Sequence, residues 1–428
     1  MMNQTNQSIR VSALPNGMRV VTETMPGLQT AALGVWVEAG ARAESAREHG
    51  MAHLLEHMAF KGTERRSAVD IAEEIEAVGG DLNAATSIET TAYYARVLKD
   101  DIPLAVDILA DILQNAVFDA LELEREQNVI VQEIRASEDT PDDIVFDLAQ
   151  GAAFQGQTLG RTILGTEETV RGFRSGDLTD YLRRHYAPAQ MILAAAGAVD
   201  HDAMVGLAGE FFAGLSESAH KSQAPACFTG GIGKVARPIE QSHLVISFEG
   251  LSHHHEDYYA AQVFATLLGG GMSSRLFQEA REKRGLCYGI YSYHWSVSDT
   301  GLFGVYAATA PETTPELMEV IAGVLKNAAA DIGGSELKRA KAQLKAGLLM
   351  SLERPSSRIG QMGQQIAAHG RVQAADELIA AVERVTREDM IRLAESWHRA
   401  VPAIGLVGPE SGLETTCRVA AELFGTAE

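Results

Sequence analysis

The chain is one unit written twice, and that duplication restricts it to folds made of two related modules. Strand-like β-branched and aromatic content at 19–23 (RVVTE) and 31–40 (AALGVWVEAG) opens the first copy. Helical spacing of apolar residues follows at 45–60 and 67–78, with Gly79-Gly80 as a stop signal. Residues 81–97 return to strand composition, and 101–114 and 121–137 are long amphipathic helical stretches. The same order recurs after residues 216–235, whose Ser, Pro and Gly content reads as an exposed linker. An offset of 213 lays AHLLEHM (52–58) over ATLLGGG (265–271), and one of 214 lays ELER (122–125) over ELKR (336–339). Helix runs set between antiparallel-looking strands, without strict βαβ alternation, predict an α+β architecture. The expected domains are 1–215 and 236–428, each an antiparallel-rich sheet packed with helices.

Charge and cysteine usage narrow the function classes. Fifty-seven acidic against 36 basic side chains leave a net charge of −21, which repels nucleic-acid phosphates and anionic membranes and favours cationic ligands. Neither nucleic acid nor a membrane is therefore an expected partner. Cys227, Cys287 and Cys417 are far apart and form no CxxC pair, so a disulfide framework is not expected and a reducing compartment is. The N-terminus lacks a basic stretch followed by an apolar one, and no uncharged apolar run reaches the roughly 18 residues that span a bilayer. The expected location is the cytoplasm.

His53-Leu54-Leu55-Glu56-His57 has the pattern of a metal site, the alternative being a polar helix face whose histidines and glutamate meet only solvent or one another. Two imidazoles at i and i+4 share a helix face, close enough to share one metal ion, with Glu56 beside them. A catalytic zinc takes three protein ligands and keeps one position open, so another ligand must come from elsewhere. Glu126 and Glu133 are seven residues apart on a predicted helix and project from one face; one can bind metal while the other orients a histidine. In the second copy His53, Glu56 and His57 lie over Thr266, Gly269 and Gly270, and Glu126 and Glu133 over Ala340 and Gly347. Ligands present together in one copy and absent together from the other are what a single grafted site leaves, whereas solvated charges differ piecemeal.

GMAHLLEHMAFKGT (50–63), GGDLNAATSIETTAYYARV (79–97), EREQNVIVQEI (124–134) and LLGGGMSSRLFQEAREKRGLCYGIYS (267–292) resemble the pitrilysin family of inverzincin metallopeptidases. The likeness covers nearly the whole chain and is to the single-length branch that includes the mitochondrial processing peptidase β subunit. It implies a Zn2+ held by His53, His57 and Glu133, with Glu56 as general base and Glu126 holding a ligand histidine. It implies that Asn83 and Ala84 bond the backbone of an extended peptide added to a sheet edge, although an interior strand with ordinary ladder partners is the alternative. It implies that Arg281 and Tyr288 hold the substrate carbonyl. The ordinary alternatives are a surface ion pair of Arg281 with Glu279 or Glu282, and a half-buried core ring for Tyr288. In such a family two domains are half of a clamshell chamber and a partner chain's second domain completes the site, which implies a homodimer or a heterodimer; the Gly269-Gly270-Gly271 loop on the same chain as the zinc motif favours the homodimer.

The expected activity is zinc-dependent endopeptidase cleavage of short or unfolded peptides. The alternative is a noncatalytic structural or peptide-binding subunit. The run from His253 to Asp257 reads as solvated surface, and Cys287 as a small buried thiol. GGIG and GGG lack the strand and helix context of a dinucleotide site.

Overall fold

The computed structural model describes residues 8–215 and 223–425. It contains two compact units, each built on a mixed sheet. In the first unit β1 (Ile9–Ala13), β2 (Arg19–Thr24), β3 (Thr30–Val37), β4 (Asp81–Thr86), β5 (Thr91–Leu98) and β6 (Met191–Gly197) form a sheet of order β1-β2-β6-β3-β5-β4. In the second, β7 (Gly231–Ala236), β8 (Ser242–Gly250), β9 (Cys287–Ser296), β10 (Gly301–Thr309) and β11 (Ala403–Gly408) run in the order β7-β11-β8-β10-β9. Only β2–β6 and β7–β11 pair in parallel, and the remaining neighbours are antiparallel. The second order repeats the first without β1, so the duplication read in the sequence is a duplication of topology.

The units are not contiguous in the chain, unlike the expected 1–215 and 236–428. Met350–Ala374 belongs to the first unit and Ala136–Arg161 to the second. The reason is apolar coverage. Seven of the eight β3 residues are buried, so both faces of the first sheet need a lid. One face carries the main core, including Leu54, Leu55 and Met58 of the helix Met51–Ala59. Against the other face lie Ile359, Met362 and Ile366 of the helix Pro355–His369, packed with Trp36, Ile192 and Ala194. Arg358, 2% exposed, pairs with Glu23 on β2 and anchors that helix. In the second unit Val145 and Ala149 of the helix Pro141–Ala153 cover Val245 and Val407 in the same manner.

At Gly363 the exchanged helix comes so close to the first sheet that a Cβ there lies 2.5 Å from Cδ2 of Trp36. The indole body cannot give way as a flexible side-chain end does. Gly363→Val is therefore expected to destabilise the protein by about 1–3 kcal/mol through overpacking. A thermal melt unchanged from that of the parent protein contradicts this packing.

Two local expectations are corrected. The helix predicted over 45–60 begins at Met51, because Gly50 is left-handed at φ 93° and only short 3-10 turns precede it. Gly50 packs against Gly165 (φ 81°), where a Cβ would lie 2.6 Å from the His49 carbonyl oxygen; both positions require glycine. Of the 216–235 linker, residues 216–222 lie outside the described residues and Gly231–Ala236 is β7, held by parallel pairing to β11. Among the described residues no helix is long and apolar enough to cross a membrane.

Candidate metal centre

Met51–Ala59 buries Met51, Ala52, Leu54, Leu55, Met58 and Ala59. That apolar face leaves His53, Glu56 and His57 on the half-buried opposite side. The helix N-terminus is held by a carboxylate. Glu44, 2% exposed, accepts the Gly50 N–H at 2.9 Å and the Ala52 N–H at 2.7 Å, satisfying donors that a helix start leaves unpaired.

The second contributing element is the helix Ala120–Glu138, whose buried residues include Leu123, Glu126, Ile130, Val131 and Ile134. Gln127 locks it in place by donating to the carbonyls of Val170 and Phe173, both at 2.9 Å. Glu126 and Glu133 consequently meet the motif helix together, two turns apart.

Glu133 Oε2 lies 3.6 Å from His53 Nε2 and 3.7 Å from His57 Nε2. A tetrahedral ion with bonds of about 2.1 Å holds its donors about 3.4 Å apart, so these three atoms fit zinc and are too far apart to be hydrogen-bonded. Among the described residues this is the one cluster of three or more such groups with converging donors. Glu126 has a different task. Its Oε2 accepts from His57 Nδ1 at 3.0 Å, and an ionised carboxylate only accepts, so Nδ1 carries a proton and Nε2 is the ring nitrogen turned toward Glu133. Lys61 Nζ sits 2.7 Å from the other oxygen, Glu126 Oε1. Burial pushes the Glu126 carboxyl up, but Lys61 and His57 outweigh it and hold it below the ordinary range. Burial and the neighbouring His57 depress His53 to about 4, leaving it neutral and able to ligate at neutral pH. His53 Nδ1 is buried without a hydrogen-bond partner.

Glu56 stands outside the trio of donors. Its Oε2 accepts from Thr86 Oγ1 at 2.5 Å. Burial raises its pKa, with Thr86 and His57 pulling it partly back.

β4, which carries Asn83 and Ala84, is an edge strand that among the described residues pairs with β5 alone, so the interior-strand alternative is set aside. Asn83 is exposed, and its Oδ1 accepts the Ala84 N–H at 2.8 Å. That N–H therefore points away from the ladder.

Arg281 and Tyr288 come together in the second unit. Phe277–Glu282 is a π-helical segment, a form common at functional sites. The Arg281 guanidinium lies 4.6 Å from the Phe277 ring centre and 5.2 Å from that of Tyr288. Tyr288 is 85% exposed, so it is no core ring, and Glu279 pairs with Lys283 and Arg284 rather than Arg281. Cys287 is buried, and burial raises its thiol pKa. The positions over the motif, Thr266 and Gly269, fall in the helix Tyr258–Gly269, where a Cβ on Gly269 would lie 2.3 Å from the Ser292 nitrogen.

Sequence reasoning missed Glu44, Lys61 and Thr86. Only Glu44 had a local signal, an acid shortly before a glycine that opens a helix.

Residues 19–167 match the family described as Insulinase (Peptidase family M16), and residues 173–344 match the Peptidase M16 inactive domain. An uncharacterized zinc protease of Streptomyces coelicolor is 37% identical over 412 residues, covering 94% of this chain and 90% of that protein. Another, from Bacillus subtilis, is 38% identical over 402 residues, covering 93% and 98%. The crystal structure of a protease from Helicobacter pylori superposes with a TM-score of 0.87 at 21% identity, covering 94% of this chain and 99% of that one, which shows the shared fold. On the identity and coverage of these relatives, the chain belongs to peptidase family M16.

Proposed function

We propose that this protein is a zinc-dependent endopeptidase of short or unfolded peptides. The observation that carries the reading is the convergence of Glu133 Oε2 on both histidine Nε2 atoms from a helix about 70 residues further along the chain. The names of the relatives, zinc proteases, agree with it.

His53, His57 and Glu133 would hold the ion, and Glu126 would fix the tautomer of His57. When bound there, zinc would supply Lewis acidity that lowers the pKa of a bound water to about 7. Glu56 takes the proton from the attacking water and passes it to the leaving amine; its raised pKa suits a group that must both accept and return a proton. The free edge of β4 binds the peptide backbone at Asn83 and Ala84, which gives little sequence specificity. Selection then falls to side-chain contacts, and the net charge of −21 draws basic peptides.

Arg281 and Tyr288 are assigned to the substrate carbonyl, offered by a partner chain in a homodimer. The exposure of Tyr288 and its stacking on Arg281 support a paired role over a core one. Three free cysteines suit a reducing compartment, and we assign the protein to the cytoplasm.

The test is digestion of a mixed peptide library with and without a chelator, followed by zinc add-back. Cleavage lost to the chelator and restored by zinc is the expected result. A metal-loaded protein that binds peptides and cuts none overturns the reading in favour of a noncatalytic subunit.

A further inference from the structure

The strand at the sheet edge and the carboxylate beside the metal donors meet at one side chain. Thr86 is the last residue of β4, three positions beyond Asn83. Strand alternation puts Thr86 on the same face as the buried Ala84, while Asn83 and Ala85 are exposed on the other. Its Oγ1 lies 2.5 Å from Glu56 Oε2 and 3.5 Å from the Ala52 carbonyl. The second contact is at the limit of a hydrogen bond and the first is short, as expected for a hydroxyl donating to an ionised carboxylate. Lys61 engages Glu126, and the two histidine Nε2 atoms face Glu133. Among the described residues the Thr86 hydroxyl is the side-chain donor to the Glu56 carboxylate, beside a bond from the Thr86 backbone N–H that a substitution at this position leaves in place.

We propose that Thr86 is a positioning residue for Glu56, tying the orientation of the proton-accepting oxygen to the strand that pairs with substrate. The proposal rests on the reading of Glu56 as general base. Oε2 receives the Thr86 hydroxyl proton, and the Thr86 backbone N–H also bonds the carboxylate, so both restraints come from the end of β4. Because the restraint comes from β4, an extended peptide aligned on that strand is held in a fixed relation to the base, the arrangement that proximity catalysis needs.

Thr86→Val keeps the shape and β-branching and deletes the donor, whereas Thr86→Ser keeps the donor and deletes the methyl group. With the zinc-loaded full chain and an extended peptide, Thr86→Val is expected to lower kcat about tenfold or more, with KM and zinc content unchanged. Thr86→Ser is expected to stay within about threefold of the parent protein. In metal-free protein labelled with 13C-glutamate, the Glu56 carboxyl resonance, assigned by its loss in Glu56→Gln, should move in Thr86→Val and stay in Thr86→Ser. If Thr86→Val does not fold, Thr86→Ala provides the same comparison.

A Thr86→Val kcat within about threefold of the parent, or a rise in KM alone, overturns the positioning role. So does equal impairment of the Val and Ser variants, which points to methyl packing. If the parent protein itself shows no chelator-sensitive turnover, the peptidase reading falls and the role of Thr86 with it. A parent that turns over beside an unimpaired Thr86→Val leaves that reading standing and removes only the Thr86 role.

Discussion

Glu56→Gln is expected to keep its zinc and lose its turnover, with kcat falling by about 10³-fold. The amide has nearly the volume of the carboxylate and still offers an oxygen to the Thr86 hydroxyl, so the local packing has no reason to change. What it lacks is basicity: it cannot take a proton from water or return one to an amine. Glu56 is also not among the three converging donors, which is why the metal should stay. Steady-state kinetics beside zinc analysis of the purified variant separates the two effects. A Glu56→Gln protein that turns over as well as its parent removes Glu56 from the mechanism.

How much of this site is legible in the sequence depends on how local each relation is. The histidines at 53 and 57 are a helix repeat apart, and Glu126 and Glu133 two turns apart, so each pair follows from helical geometry within one short segment. That the two segments meet is a long-range fact, and only the family resemblance supplied it before the Glu133 to histidine distances did. The edge position of β4 is unreadable for the same reason, since a strand has an edge only once its neighbours are known. The helix start at Met51 escaped because the conformation of Gly50 depends on Gly165, far along the chain.

The helix exchange marks the clearest limit. A stretch such as 355–369 shows that it has an apolar face, but not which sheet that face covers. The domain boundaries drawn from a linker-like composition therefore failed where coverage of an apolar sheet, rather than chain order, decides which segments belong together.

Metal affinity should fall in two distinct grades when the carboxylates of the helix Ala120–Glu138 are changed one at a time. Glu133→Ala removes the oxygen that faces both Nε2 atoms, leaving two donors; the expected loss is on the order of 10³-fold, enough for the protein to purify without zinc. His53→Ala and His57→Ala belong in the same grade, since each also removes one of three donors. Glu126→Gln leaves all three donors but replaces the ionised acceptor of the His57 Nδ1 proton with a neutral amide, so a loss of about 10–100-fold is expected. Competition against a chelating dye at fixed pH measures both grades, with thermal melting of the metal-free proteins as the control for folding. The contrast is informative because the two glutamates share one helix and one face, so any effect of the helix itself moves both variants equally. Equal losses at Glu126 and Glu133 contradict the division between an oxygen that binds the ion and one that orients a ligand.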